Sequence, residues 1–158
     1  MEDAASGASG PIAGPIVAGE SKGDYAGVMK RPRRVFLSYA DSDRPLAKTL
    51  AKDLHAAGFA VWSDHEVLPG DNWARKVADA LEESEAMVVI VSPAAAKSKW
   101  VRREVEFALG SPRYAGRLIP VVAKPTREMW ILSKLHPVSV KKAKGEVSQQ
   151  VIEALEAR

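Results

Sequence analysis

Six consecutive apolar residues, Ala86-Met87-Val88-Val89-Ile90-Val91, constrain what this chain can fold into more than any other stretch. A half-exposed strand alternates apolar and polar residues, and a helix needs a longer repeat, so a short unbroken apolar run rich in β-branched residues fits a strand covered on both faces. Strands of that kind lie in parallel sheets, whose helical crossovers cover the sheet. The run leads into Ser92-Pro93-Ala94-Ala95-Ala96-Lys97-Ser98, read as a loop, and then into a helix beginning near Trp100. Ligands in such sheets bind beyond the carboxyl ends of the strands, and Glu104, on the first turns of that helix, can project back there. Glu104 is therefore a candidate catalytic carboxylate. The alternative makes it one charge among Arg102, Arg103 and Glu106 on a solvated helix face.

The same alternation runs through the chain. Val35-Phe36-Leu37-Ser38-Tyr39 reads as a first strand, and Asp43 followed by Pro45 as a capped helix start. Leu46, Leu50 and Leu54, with Ala47 and Ala51 beside them, form a buried helix stripe that Gly58 ends. Phe59-Ala60-Val61-Trp62 gives a second strand and Ser63 to Asn72 a ten-residue loop containing Pro69-Gly70. Asp71 or Asn72 caps a helix with Trp73, Val77, Ala80 and Leu81 facing inward. Leu118-Ile119-Pro120-Val121-Val122 is a fourth strand whose proline favours an edge or terminal place. Val138 to Val140 is a weaker fifth, and Val147, Val151, Ile152 and Leu155 mark a last amphipathic helix. The expected fold is α/β: a flavodoxin-like three-layer sandwich around a central, mainly parallel five-stranded sheet. Residues 1–32, rich in Gly, Ala, Ser and Pro, are expected to be a disordered leader to a domain over 33–158.

Composition narrows the chemistry. With no cysteine, disulfides, thiolate metal sites and Cys nucleophiles are excluded, and His55, His65 and His136 lack metal-ligand spacing, so no metal is expected. The first βα turn, Ser38 to Arg44, has no glycine, which removes the dinucleotide fingerprint and the phosphate loop. The excess of 23 basic over 20 acidic residues sits in Lys30-Arg31-Pro32-Arg33-Arg34 and Lys141-Lys142-Ala143-Lys144. Neither cluster is interleaved with aromatics, so no nucleic-acid partner is expected. No apolar run is long enough to span a bilayer, and a cytoplasmic location is the default, or delivery into a host cell for a virulence factor.

Five ordered pieces carry a resemblance: Val35-Phe36-Leu37-Ser38-Tyr39, Val61-Trp62-Ser63-Asp64, Leu68-Pro69-Gly70-Asp71-Asn72-Trp73, Val89-Ile90-Val91-Ser92-Pro93, and Ser98-Lys99-Trp100-Val101-Arg102-Arg103-Glu104. Over about residues 33–158 their order and spacing resemble a Toll/interleukin receptor (TIR) domain, of the bacterial type. The resemblance implies that Glu104 matches the glutamate of the Trp-x-x-x-Glu motif with which enzymatic members cleave NAD. Many members have Cys where Val101 stands, which alters packing. It also implies substrate contacts from Ser38, Tyr39, Asp43, Trp62, Asp64 and Trp100, and an assembly loop including Val67, Leu68, Pro69, Gly70 and Asp71. NAD would be substrate, with no cofactor; other TIR protomers and a separate sensor protein would be partners.

Two functions follow. One is an NAD glycohydrolase, or a maker of cyclic ADP-ribose isomers, acting as an immune or virulence effector with activity dependent on self-assembly. The other is a non-enzymatic interaction module; a nucleoside deoxyribosyltransferase-like enzyme is a distant third. Residue by residue, plainer readings stand beside these roles: a strand-end backbone bond for Ser38, a helix cap for Asp43, core packing for Trp62, Trp73 and Trp100, and solvation for Arg75, Arg102 and Arg103.

Overall fold

The structure is a computed structural model that describes residues 33–63, 70, 72–140 and 144–157. The expected leader lies outside the described residues, as do Asp64, Val67, Leu68, Pro69 and Asp71.

The chain alternates strands and helices: β1 (Arg34–Ser38), a 3-10 turn at Asp41–Asp43, α1 (Arg44–Ala56), β2 (Ala60–Trp62), α2 (Trp73–Glu83) and β3 (Ala86–Val91). Then come α3 (Pro93–Lys97), α4 (Lys99–Gly110), a 3-10 turn at Pro112–Tyr114, β4 (Leu118–Val122), a 3-10 segment at Arg127–Lys134, β5 (Val138–Ser139) and α5 (Lys144–Glu156). The five strands form one sheet in the order β2-β1-β3-β4-β5, parallel at every pairing. All six residues of β3, the central strand, are buried, as its unbroken apolar run requires.

Side-chain alternation sorts the core into two layers. Phe36, Met87, Val89 and Val91 pack with Val77 and Leu81 of α2, Ala95 of α3 and Val101 and Val105 of α4. Val35, Leu37, Val88 and Ile90 pack on the opposite face with Leu50 and Leu54 of α1 and Val147, Val151 and Leu155 of α5. Two short hydrogen-bonded ties fasten the second layer: Ser148 Oγ to Asp53, and Arg33 to the Leu155 carbonyl.

Three expectations are corrected. The loop after β3 is instead the helix α3, begun by Ser92 as cap and Pro93 in its first turn. The strand bearing Pro120 is not an edge strand, since β5 lies beyond it. At the level of Pro120, however, β4 pairs only with Val89 of β3, because the ladder to β5 starts at Val121. The missing N–H therefore falls where one side of the strand lacks a strand neighbour. Finally, Asp43 occupies the cap position of α1, but its side chain makes no capping bond.

Candidate active site

The strand order reverses direction between β1 and β3: the chain leaves β1 toward β2 and leaves β3 toward β4. Their connections go to opposite faces, so a crevice opens at the carboxyl ends of these two strands, where open α/β sheets bind ligands.

Ser38 ends β1 and shares the face of Phe36, toward α4. Its hydroxyl donates to Glu104 Oε1 at 2.6 Å. Both residues are buried, at 1% and 2% exposure. The reason lies in the start of α4: Ser98 accepts from the Val101 N–H at 3.2 Å and fixes the helix phase. Val101, Glu104, Val105 and Ala108 then fall on the buried stripe, while Arg102, Arg103 and Glu106 point outward. The solvated reading of Glu104 is thus overturned, and so is the strand-end backbone bond for Ser38. A buried carboxylate is costly unless hydrogen-bonded, and packing alone does not call for one.

A second polar pair lies at the same sheet edge. Ser92, immediately after β3, donates to Asp43 Oδ2 at 2.5 Å and accepts from the Ala95 N–H at 3.1 Å. It joins the end of β3 to the start of α1. Ser92 was not among the residues expected at the site; the Ser-Pro step, a helix-start signal directly after a buried strand, is the feature that points to it.

The aromatic candidates divide. Trp62, half-buried at the end of β2, sits with its ring 5.1 Å from that of Phe36, on the Ser38 face. Tyr39 packs in the α1/α5 layer. Trp100 is 37% exposed, which corrects the inward placement expected for it: it precedes the buried Val101 by one residue and so lies off the stripe. It meets Trp73 edge to face, with the Arg103 guanidinium 5.4 Å from its ring centre. Of the expected loop, Gly70 is described: it is exposed, with φ of +91°.

Among the described residues no helix is long and apolar enough to cross a membrane. A model of the TIR domain matches residues 35–155. The chain is 29% identical over 101 residues to the stimulator of interferon genes protein of Magallana gigas, covering 60% of this chain and 24% of that protein. It is 29% identical over 96 residues to the 2′ cyclic ADP-D-ribose synthase BtTIR of Bacteroides thetaiotaomicron, covering 59% of this chain and 33% of that one. The match thus spans about a quarter to a third of these curated relatives. In fold, the chain superposes on the TIR domain of the Toll-related receptor TRR-2 from Hydra magnipapillata with a TM-score of 0.64, at 21% identity over 77% of this chain and 97% of that one.

Proposed function

This chain belongs to the TIR domain family, and from that premise we propose that it cleaves NAD at the bond between nicotinamide and ribose, with Glu104 as the catalytic carboxylate. The observation that carries the reading is the buried Ser38–Glu104 pair at the switch point of the sheet. The cyclase activity in the name of the Bacteroides thetaiotaomicron relative supports it.

The bond electrons leave with nicotinamide, which departs neutral from a cationic substrate and needs no general acid. The ribose carbon becomes electron-poor, as in glycoside hydrolysis. A carboxylate preorganised beside that ribose accepts hydrogen bonds from its hydroxyls and stabilises the developing charge. Water adding at that carbon and losing a proton gives ADP-ribose. An internal nucleophile of the same molecule, losing its proton, gives a cyclic isomer. Ser38 holds the Glu104 carboxylate, and Trp62 stands on the same face of the sheet.

Activity dependent on assembly of several copies is part of the proposal, as is a role as immune or virulence effector. Phe107, Leu109, Trp130 and Ile131 are large apolar side chains left 41–64% exposed, suited to contacts with another chain. The same exposure favours a second reading, a non-enzymatic interaction module.

The test is nicotinamide release from NAD across a series of protein concentrations, with products resolved by mass. Release that rises faster than protein concentration is expected, and the product mass separates water addition from cyclisation. Folded protein that releases none at any concentration would leave the interaction module as the reading.

A further inference from the structure

The Ser92–Asp43 pair has no part in the chemistry above. It ties the end of β3 to the start of α1 across the crevice. Ser92 caps α3 by accepting a hydrogen bond, and its donation to Asp43 is additional to that duty. The Asp43 side chain caps nothing. Ser92 engages Oδ2, which leaves Oδ1 of this half-buried carboxylate as an acceptor at the crevice mouth.

The chemistry at the start of α1 suits a hydroxyl better than a phosphate. Helix starts bind phosphate through free N–H groups, but α1 opens Arg44-Pro45, where proline has no N–H, and Asp43 itself repels an anion. Position selects the hydroxyl. Ser38 is in register with Val89, and Ser92 lies three residues further along the same extended run. The second pair therefore stands roughly 10 Å along the strand direction from Ser38. Alternation also turns Ser92 to the Val88 and Ile90 side, toward α1, and Ser38 to the α4 side. That offset is wider than one ribose ring, and the diphosphate bridge of a dinucleotide separates its two riboses by a comparable length.

We propose that Ser92 is a positioning residue that holds Asp43 so that Oδ1 accepts from the 2′-hydroxyl of the adenosine ribose, and that this pair sets a preference for NAD over its 2′-phosphorylated form. The inference rests on the NAD-cleaving reading. A phosphate at that place removes the donor and sets like charges together; acidic side chains select the unphosphorylated ribose in other dinucleotide sites for the same reason.

The test compares kcat/KM for NAD and its 2′-phosphorylated form in the full chain, Ser92→Ala, Ser92→Thr and Asp43→Asn. Equilibrium binding of both dinucleotides is measured on Glu104→Gln, with and without Asp43→Asn. The wild type is expected to prefer NAD. The preference falls about tenfold in Ser92→Ala and in Asp43→Asn, the size of one hydrogen bond to a charged group. The change appears in KM with kcat near the wild-type value, and Ser92→Thr restores it. Asp43→Asn leaves the α3 cap intact, so its effect is separate from folding. Equal use of both dinucleotides by the wild type, or a ratio unmoved by Asp43→Asn, overturns the assignment. Selective binding of NAD without nicotinamide release refutes cleavage and supports this assignment; release with an unmoved ratio does the reverse.

Discussion

In Glu104→Gln the side chain keeps its length and an amide oxygen to accept the Ser38 hydroxyl bond, 2.6 Å from Oε1 in the wild type, while the charge is lost and an amide NH2 takes the place of Oε2. The site is 2% exposed, so the carboxylate bears a desolvation cost that in real proteins amounts to several kcal/mol. A hydrogen bond to a charged group contributes roughly 1.5–3 kcal/mol and a neutral one about 1, so neutralising the acceptor gives up about 1 kcal/mol. Relief of desolvation exceeds that loss, and a net stabilisation of about 1–3 kcal/mol is expected. For a domain of this size each kcal/mol raises the melting temperature by about 3 °C or more. Thermal and urea unfolding at neutral pH, followed by circular dichroism, measure it, with an unchanged urea slope certifying the same transition. An acid retained for function at the expense of stability gives this sign. Loss of about 3 kcal/mol or more, as when one partner of a structural buried pair is removed, would instead make Glu104 a structural residue.

Other outcomes follow from the same geometry. Ser38→Ala keeps the charge and removes the hydroxyl that donates to Oε1, so stability should fall by about 1–3 kcal/mol and nicotinamide release by about tenfold; an unchanged rate would separate Ser38 from the chemistry. Among the described residues a Cβ added in Gly70→Val meets no neighbour within 4 Å, but φ of +91° costs a branched residue roughly 1–2 kcal/mol of local strain. The melting temperature should fall by only a few degrees while the concentration dependence of NAD cleavage is lost, read by activity and light scattering together. Tyr114 is buried, donates to the Leu81 carbonyl, and has its pKa raised by that burial from 10.0 to about 12. The fold favours the neutral phenol, so its contribution is full below about pH 10 and is lost as pH rises through about 12. Tyr114→Phe should cost about 1 kcal/mol at pH 7 and reduce the alkaline loss of stability; equal losses in both proteins would contradict this.

The sheet is legible because its signals are local: β3 and β4 follow from unbroken apolar runs rich in β-branched residues, and α1 and α5 from four-residue apolar spacing. α3 is not, since five residues are too few to show a helical period. Only the Ser92-Pro93 and Ser98 caps mark where α3 stops and α4 begins. That boundary governs the site. Counted from a start at Ser98, Val101, Glu104, Val105 and Ala108 form one stripe with a carboxylate in it, and Trp100 falls outside. The Ser38–Glu104 bond spans 66 positions and the Ser92–Asp43 bond 49. Periodicity carries no information at such separations. Asp43 reads as a cap because Asp before Pro is a cap signal, and its tertiary partner outweighs that local preference.

Nicotinamide release from NAD by the full chain and by Glu104→Gln, side by side at the protein concentration where the wild type is most active, tests the central claim most directly. Removing one preorganised charge-stabilising group costs about 10²–10³ in rate. Robust release by the wild type is expected, with a loss of that size in a variant that melts no lower. Equal release by the two proteins, or none from a folded wild type under any condition of assembly, would contradict the claim.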